Sequence, residues 1–264
     1  MTPAELAARI DQTLLAPTAT PAQVEALCAG ALRHRFRAVC VSPAYVALAV
    51  EHLEGSPVRV CTVAGFPLGT VTLASKAREA EEAVRAGASD VDMVINIGRL
   101  KAGQLDYVRD EIRAVVRGAA RAAVGAAHRA PVGAAHRAPG DATSPPPGDA
   151  GHRAFGTGGA TAEGIVVKVI IEACYLTDEE KVVACRLAEE AGARFVKTST
   201  GFGPGGATVE DVHLMRRAVG DRLGVKASGG IRTLAQALAL LGAGADVLGT
   251  SSGEAIMAEL VSHT

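Results

Sequence analysis

Tryptophan is absent from this 264-residue chain, and the few tyrosines and phenylalanines bring aromatic residues to only 3%. A single-stranded nucleic-acid surface needs rings on which bases stack, and a duplex surface needs an excess of cations, whereas the formal net charge here is -1. Nucleic acid is therefore not an expected partner. Also missing is any apolar run approaching the roughly 18 residues of a membrane span, and the start, MTPAELAARID, lacks a basic region ahead of an apolar core. No membrane partner is expected, and the chain reads as cytoplasmic. The five cysteines, Cys28, Cys40, Cys61, Cys174 and Cys185, include no C-x-x-C pair and are odd in number, which indicates neither a disulfide framework nor a zinc site. Lysine is scarce as well, accounting for six of the 27 basic residues. Three of the six, Lys168, Lys197 and Lys226, fall inside apolar strand-like runs. In a chain whose default solvated cation is arginine, lysine kept inside strands points to a use for a removable proton.

What is present is a regular alternation of strand-like runs and amphipathic helical stretches, the pattern of parallel βα units. Eight strands are expected, over Ile10–Leu15, Ala38–Ser42, Val58–Val63, Asp90–Ile97, Ile165–Ala173, Arg194–Ser199, Gly224–Ser228 and Asp246–Gly249. Helix starts are marked by Thr20 with Pro21 and Gln23, Ser42 with Pro43, Thr177 with Glu180, and Thr208 ahead of Glu210 and Asp211. Gly87, Gly192 and Gly242 suit left-handed helix caps. The expectation is an α/β fold, a (β/α)8 TIM barrel forming a single domain over 1–264, with an open doubly wound sheet as the weaker option. From 119 to 162 the rhythm breaks into an Ala, Gly, Pro and Arg-rich stretch carrying the tandem repeat VGAAHRAP at 124–131 and 132–139. Such a composition buries too little apolar surface to order itself, so a disordered low-complexity insert is expected between the fourth helix, Leu105–Val116, and the fifth strand. Its His128, His136 and His152 read as solvated side chains in a duplicated linker, not as metal ligands.

Alternation along strands selects the side chains that face the barrel axis. In DVDMVINI the outward apolar face is Val91, Met93, Ile95 and Ile97, which turns Asp90, Asp92, Val94 and Asn96 inward. The same parity selects Lys168, Ile170 and Glu172, then Phe195, Lys197 and Ser199, then Lys226 and Ser228. Three lysines thus converge, with Asp92, Glu172 and Asp11 expected to balance them. Unpaired burial of such charges is strongly unfavourable, so a mutually bonded network follows. A purely structural ion network is the plain reading of these residues. The functional one uses a property arginine lacks, since a neutral lysine amine attacks a carbonyl to form a Schiff base. An ordinary lysine of pKa about 10.4 is neutral in well under one molecule in a thousand at pH 7. A second cation nearby and partial desolvation both raise that fraction, and Lys226 on the adjacent strand supplies the first for Lys197. The small residues Thr198, Ser199, Thr200 and Gly201 after Lys197 leave room for a substrate. Glycine-rich turns follow the seventh and eighth strands, SGGIRT at 228–233 and GTSSG at 249–253, where barrels commonly hold a phosphate.

At these residues the chain resembles the deoxyribose-phosphate aldolases, class I (Schiff-base) aldolases with a (β/α)8 barrel. The motifs that carry the resemblance are IDQTLLAP, VCVSP, TVAGFPLG, DVDMVINIG, KVIIEACYLTDEE, FVKTSTGF, VKASGGIRT and GTSSG, in that order and over nearly all of the chain except the insert. The resemblance implies that Lys197 forms the Schiff base, Lys226 perturbs it and Asp92 relays protons. Thr200, Gly201, Gly229, Gly230, Ser251 and Ser252 would hold phosphate, with Asp11, Thr13, Lys168 and Glu172 in support. The implied reaction is reversible cleavage of 2-deoxy-D-ribose 5-phosphate to acetaldehyde and D-glyceraldehyde 3-phosphate, with no metal or organic cofactor. The implied partner is a small sugar phosphate, and a homo-oligomer stays open. Two departures stand out. Many relatives read I-D-H-T-L-L-K-P where this chain has Gln12 and Ala16, and some end near a tyrosine where this one ends Ser262-His263-Thr264. A transaldolase-like Schiff-base enzyme and a catalytically silent sugar-phosphate-binding barrel are the competing readings.

Overall fold

The computed structural model describes residues 1–127 and 164–262. Its strands are β1 Ile10–Leu14, β2 Ala38–Val41, β3 Arg59–Ala64, β4 Asp90–Val94, β5 Val166–Ile170, β6 Phe195–Lys197, β7 Gly224–Ser228 and β8 Val247–Thr250. They close into one parallel barrel in sequence order, β8 pairing back onto β1. The α-helices in chain order are α1 Pro3–Ala7, α2 Pro21–His34, α3 Val46–His52, α4 Leu73–Arg85, α5 Ile97–Lys101, α6 Leu105–Ala127, α7 Asp178–Glu190, α8 Val209–Val219, α9 Leu234–Gly242 and α10 Gly253–Ser262. The (β/α)8 expectation holds. Among the described residues, no helix is long and apolar enough to cross a membrane.

The expected strand parity explains the two cores. Outward residues such as Val39, Val91, Met93, Val169, Val196 and Val225 pack under the helices in one large apolar cluster. Inside the barrel, Ala38, Cys40, Cys61 and Val63 form a small apolar patch on β2 and β3. Charged side chains, among them Asp11, Asp90, Asp92, Lys168, Lys197 and Lys226, occupy the middle of the interior. Lower down, Phe195 fills the axis against Gly224, where any side chain would run into its ring. All five cysteines are free thiols.

Capping follows the sequence at Thr20 and Thr177, each in a reciprocal box with the residue three positions on, and at Thr208, whose hydroxyl accepts from the Asp211 N–H. Ser42 makes no side-chain cap. Gly242 is also corrected: it is the last residue of α9, and Gly244 takes the left-handed position at φ 110°. The reason is the Ala-Gly-Ala ending shared with Ala86–Ala88 and Ala191–Ala193, in which the glycine follows the C-cap alanine and the next N–H returns to a carbonyl five residues back, as in Ala245 to Leu240.

Two strands stop earlier than alternation implies. β4 ends at Val94, because Asn96 leaves the sheet to cap α5 by accepting the Arg99 N–H at 3.1 Å, and β5 ends at Ile170. α6 runs longer than expected, to Ala127, so residues 119–127 of the presumed insert are helical. Ala119 and Ala122 are buried in register with Val108, Ile112 and Val115, and Gly118 lies against the Ala77 carbonyl and Glu81 of α4. Residues 128–163, with His128, His136, His152 and most of the repeat, lie outside the described residues.

Between α4 and α6 lies a charge pair that the sequence did not signal. Lys76 Nζ donates to Glu111 Oε2 at 2.6 Å with both side chains fully buried, and Glu111 Oε1 accepts the Asn96 N–H at 2.6 Å. Burial holds the Lys76 ammonium below the usual lysine range and the Glu111 carboxyl above its own, against their mutual attraction. The pair therefore fixes the start of α5 more than it stabilises the barrel. Lys76→Met, which strands a buried carboxylate, is expected to cost about 3–5 kcal/mol in urea unfolding. Lys76→Met with Glu111→Gln should recover at least half of that loss, and equal losses for the two variants would contradict this account.

Candidate active site

Register brings the predicted lysines together. Asp92 on β4 stands opposite Lys168 on β5, and Lys197 on β6 stands opposite Lys226 on β7. Every one of these side chains points to the axis, where Asp92 joins the two pairs. Its Oδ1 accepts from Lys168 Nζ at 2.8 Å, and its Oδ2 accepts from Lys197 at 2.9 Å and Lys226 at 2.8 Å. Lys226 also reaches Asp11 Oδ2 at 2.6 Å, and Lys168 reaches Asp90 Oδ2 at 2.6 Å.

Two arginines that sequence reasoning missed complete the network from the N-terminal ends of the strands. Arg37 forks between Asp11 at 2.6 Å and Asp90 at 2.7 Å, and Arg59 binds Asp90 at 2.6 Å. Three carboxylates thus face five cations. Removing Lys197 from the count leaves every carboxylate with at least two cationic partners: Arg37 and Lys226 on Asp11, three on Asp90, and Lys168 and Lys226 on Asp92. Lys197 is the cation that the network can spare.

Electrostatics follow from this geometry. Burial alone would raise the Asp92 carboxyl, but Lys168, Lys197 and Lys226 hold it well below its ordinary value. Asp11 and Asp90 are lowered in the same way, Asp11 by Arg37 and Lys226 and Asp90 by Lys168 and Arg37. Burial disfavours the Lys168 and Lys226 ammoniums, yet their carboxylates outweigh it and hold both above the usual lysine range. The Cys61 thiol lies 3.2 Å from Asp92 and 3.5 Å from Lys168 Nζ. The buried donor set Asp11–Cys61–Asp90 surrounds a cation that the chain already supplies, the Lys168 ammonium, and Cys61 and Asp92 of the set Cys40–Cys61–Asp92 meet the same ammonium.

Above the network, at the C-terminal ends of the strands, opens a cavity of about 380 Å³. Of the three barrel lysines only Lys197 lines it, its side chain 4% exposed. Gly201, Gly229 and Gly230 form part of the rim at φ 85°, 87° and 77°, backbone that a side-chain-bearing residue rarely adopts. Neither their N–H groups nor that of Ser251 bond to a described residue, which leaves them for an anion. Arg232, exposed on the same rim, adds a guanidinium that sequence reasoning left out although it stands within SGGIRT.

Some predicted residues are placed differently. Glu172 does not balance the lysines. Its backbone is left-handed at φ 52°, and its carboxylate turns to the next loop, accepting the Thr200 N–H at 3.1 Å and the Thr200 hydroxyl. That contact occupies both donors of Thr200, so Thr200 shapes the rim while its polar hydrogens face Glu172. Ser252 is not part of the cavity lining, and its N–H is bonded to Thr250 Oγ1 at 2.9 Å. Thr13 lines the cavity and donates to the Asp11 carbonyl at 2.9 Å. Gln12, one of the two departures in the first motif, ties β1 to the last loop by accepting the Gly253 N–H at 2.9 Å and donating to the Ser251 carbonyl at 3.2 Å. Ala16 borders the cavity. Ser199, two residues past β6, is buried with a hydroxyl that lacks a hydrogen-bond partner.

A closed parallel barrel with a lone accessible lysine at its C-terminal mouth and amide-lined loops after β7 and β8 is the build of a sugar-phosphate-processing barrel enzyme. Comparison with known proteins narrows this. The sequence profile of the DeoC/LacD family aldolases matches residues 6–124. A deoxyribose-phosphate aldolase from Carboxydothermus hydrogenoformans is 50% identical over 258 residues, 98% of this chain and 96% of that protein. One from a Thermoanaerobacter species is 49% identical over 96% of each chain. The tetrameric deoxyribose phosphate aldolase from Aeropyrum pernix superposes with a TM-score of 0.78 at 31% identity, covering 100% of this chain and 94% of that one. The chain belongs to the deoxyribose-phosphate aldolase family, whose members are carbon–carbon lyases.

The depressed carboxyls predict an acid limb of stability. Below the ordinary carboxyl pKa of about 3.9 the unfolded chain takes up protons that Asp11, Asp90 and Asp92 refuse in the folded state, so stability falls as pH drops through that window. Urea midpoints should hold steady between about pH 5 and pH 7 and fall steeply below about pH 4. Asp90→Asn should lower the plateau and flatten the fall. An unchanged slope would mean that the network does not set it.

Proposed function

We propose that this chain reversibly cleaves 2-deoxy-D-ribose 5-phosphate to acetaldehyde and D-glyceraldehyde 3-phosphate through a Schiff base on Lys197. One observation carries the reading: Lys197 is at once the barrel lysine that lines the cavity and the cation whose charge the carboxylates can do without. Fixed positive charge at Lys226, sharing Asp92 Oδ2 with Lys197, favours the neutral amine over a third ammonium on one carboxylate. Its lone pair attacks C1 of the open-chain sugar, and the carbonyl oxygen leaves as water once protonated, giving a protonated imine.

The imine nitrogen is then the electron sink. Asp92 takes the proton of the C3 hydroxyl as the C2–C3 bond breaks, and the electron pair of that bond forms the enamine. D-Glyceraldehyde 3-phosphate departs, the proton returns to C2, and water hydrolyses the imine to release acetaldehyde and restore the amine. Lys168 and Lys226 keep Asp92 ionised and fixed between proton transfers. The phosphate is assigned to the N–H groups of Gly201, Gly229, Gly230 and Ser251, with Arg232 as counter-cation; Thr200 and Ser252 act by holding the loops.

Trapping tests the nucleophile. Acetaldehyde with borohydride should add a single two-carbon unit at Lys197, mapped by peptide mass spectrometry, and Lys197→Ala should show no label. Dihydroxyacetone labelling in place of acetaldehyde would favour a transaldolase-like enzyme, and label spread over several lysines would remove the assignment.

The role of Lys226 is separable. Lys226→Leu leaves Asp92 Oδ2 to Lys197 alone and so favours its ammonium form. The acid limb of the pH–rate profile for deoxyribose 5-phosphate cleavage should move to higher pH. The rate at pH 7 should fall by a factor of roughly a hundred or more, with partial recovery in alkali. A uniform loss at every pH would make Lys226 a packing or substrate-binding residue.

A further inference from the structure

A second cavity, of about 670 Å³, opens at the opposite mouth of the barrel, beneath the ion network. Five arginines line it: Arg9, Arg37 and Arg194, each just ahead of a strand, Arg59 at the first position of β3, and Arg216 on α8. Asp246 is the acid in that lining. Arg216 is committed to the scaffold, bound to Asp246 and to the carbonyls of Gly244 at 3.0 Å and Leu223 at 2.9 Å. The others differ. A guanidinium carries five N–H donors; Arg37 commits bonds from two of its nitrogens to Asp11 and Asp90, and Arg59 makes three, to Asp90 and to the carbonyls of Ser89 and Gly164. The Arg9 guanidinium has no hydrogen bond or salt bridge to a described residue; the nearby acid on α1, Glu5, attracts it only at longer range while bonded to Thr2.

Neutralising the buried carboxylates does not account for this lining. Asp11 and Asp90 also bind Lys226 and Lys168, so these two carboxylates already meet four cations, Arg37 and Arg59 included. Planar guanidiniums match the paired oxygens of phosphate. The remaining wall is apolar, with Phe195, Leu241 and Val247 beside Ala8 and Ala245. The volume lies within the range of small-molecule sites.

We propose that this basin binds a small anion carrying two or more phosphates and a flat apolar ring, of nucleoside diphosphate size, with phosphates on Arg9, Arg37 and Arg59 and the ring against Phe195, Leu241 and Val247. The site is separate from the Lys197 cavity and does not depend on the reaction assigned there.

Calorimetric titration of the full chain with ADP, inorganic pyrophosphate and adenosine tests it. ADP should bind at concentrations below about 1 mM in low salt, more tightly than pyrophosphate, while adenosine should not bind. Arg9→Glu should weaken ADP binding at least about tenfold while acetaldehyde trapping at Lys197 and the thermal midpoint stay at wild-type values. Saturation with glyceraldehyde 3-phosphate should leave ADP binding unchanged. Absent ADP binding, equal affinity in Arg9→Glu, or displacement by glyceraldehyde 3-phosphate would overturn the proposal; pyrophosphate binding as tight as ADP would overturn its apolar half.

Discussion

One carboxylate oxygen, Asp92 Oδ2, accepts from two ammoniums at 2.9 and 2.8 Å, and the rest of the interior is arranged around that competition. A carboxylate shared by two cations stabilises each less than it would stabilise one alone. Lys226 has a second anchor in Asp11 and Lys168 a second in Asp90, whereas Lys197 has no other carboxylate partner among the described residues. Lys197 is therefore the lysine with the fewest carboxylate contacts, and it is also the one in contact with the upper cavity. Position and charge balance select the same side chain.

That selection depends on the lower half of the barrel. Arg37 and Arg59 approach Asp11 and Asp90 from the N-terminal ends of β2 and β3 and cannot lose their protons at any ordinary pH. They fix two carboxylates as anions, which fix Lys168 and Lys226 as cations, which in turn fix Asp92. The apolar patch of Ala38, Cys40, Cys61 and Val63 closes the opposite wall and restricts the water that would otherwise screen these charges. The outer apolar shell keeps the register, without which Lys197 and Lys226 would not stand side by side.

Much of this was legible from residue order. Strand parity alone placed Asp90, Asp92, Lys168, Lys197 and Lys226 on the axis, because a side chain's face in a regular strand depends only on odd or even position. Parity failed where the strand ended. Glu172 has the right parity but lies two residues past β5, in a left-handed conformation that turns it to Thr200, and Asn96 lies two past β4 and caps a helix. Arg37 and Arg59 were hidden for another reason. Both flank strands where a solvated arginine is ordinary, and their partners are 26 to 53 residues away, a distance no local pattern spans. The end of α6 was hidden by composition: alanine and glycine packed against α4 carry helical periodicity too weakly to separate it from low-complexity sequence. The same limit applies to Lys76 and Glu111, whose pairing at 2.6 Å depends on how two helices meet.

The split between lysine and arginine ties these points together. Four of the six lysines are buried, three of them on the barrel axis, while arginine lines the lower mouth. Had arginine stood at the position of Lys197, the network would have held a permanent extra charge and no amine. Had lysine stood at Arg37, a single ammonium would have had to span Asp11 and Asp90, which the planar fork joins with two short bonds. When Lys197 loses its proton, the remaining four cations and three carboxylates keep their bonds. No neighbour needs to move to accommodate the change, and a site that need not reorganise when a charge is removed spends little free energy in doing so.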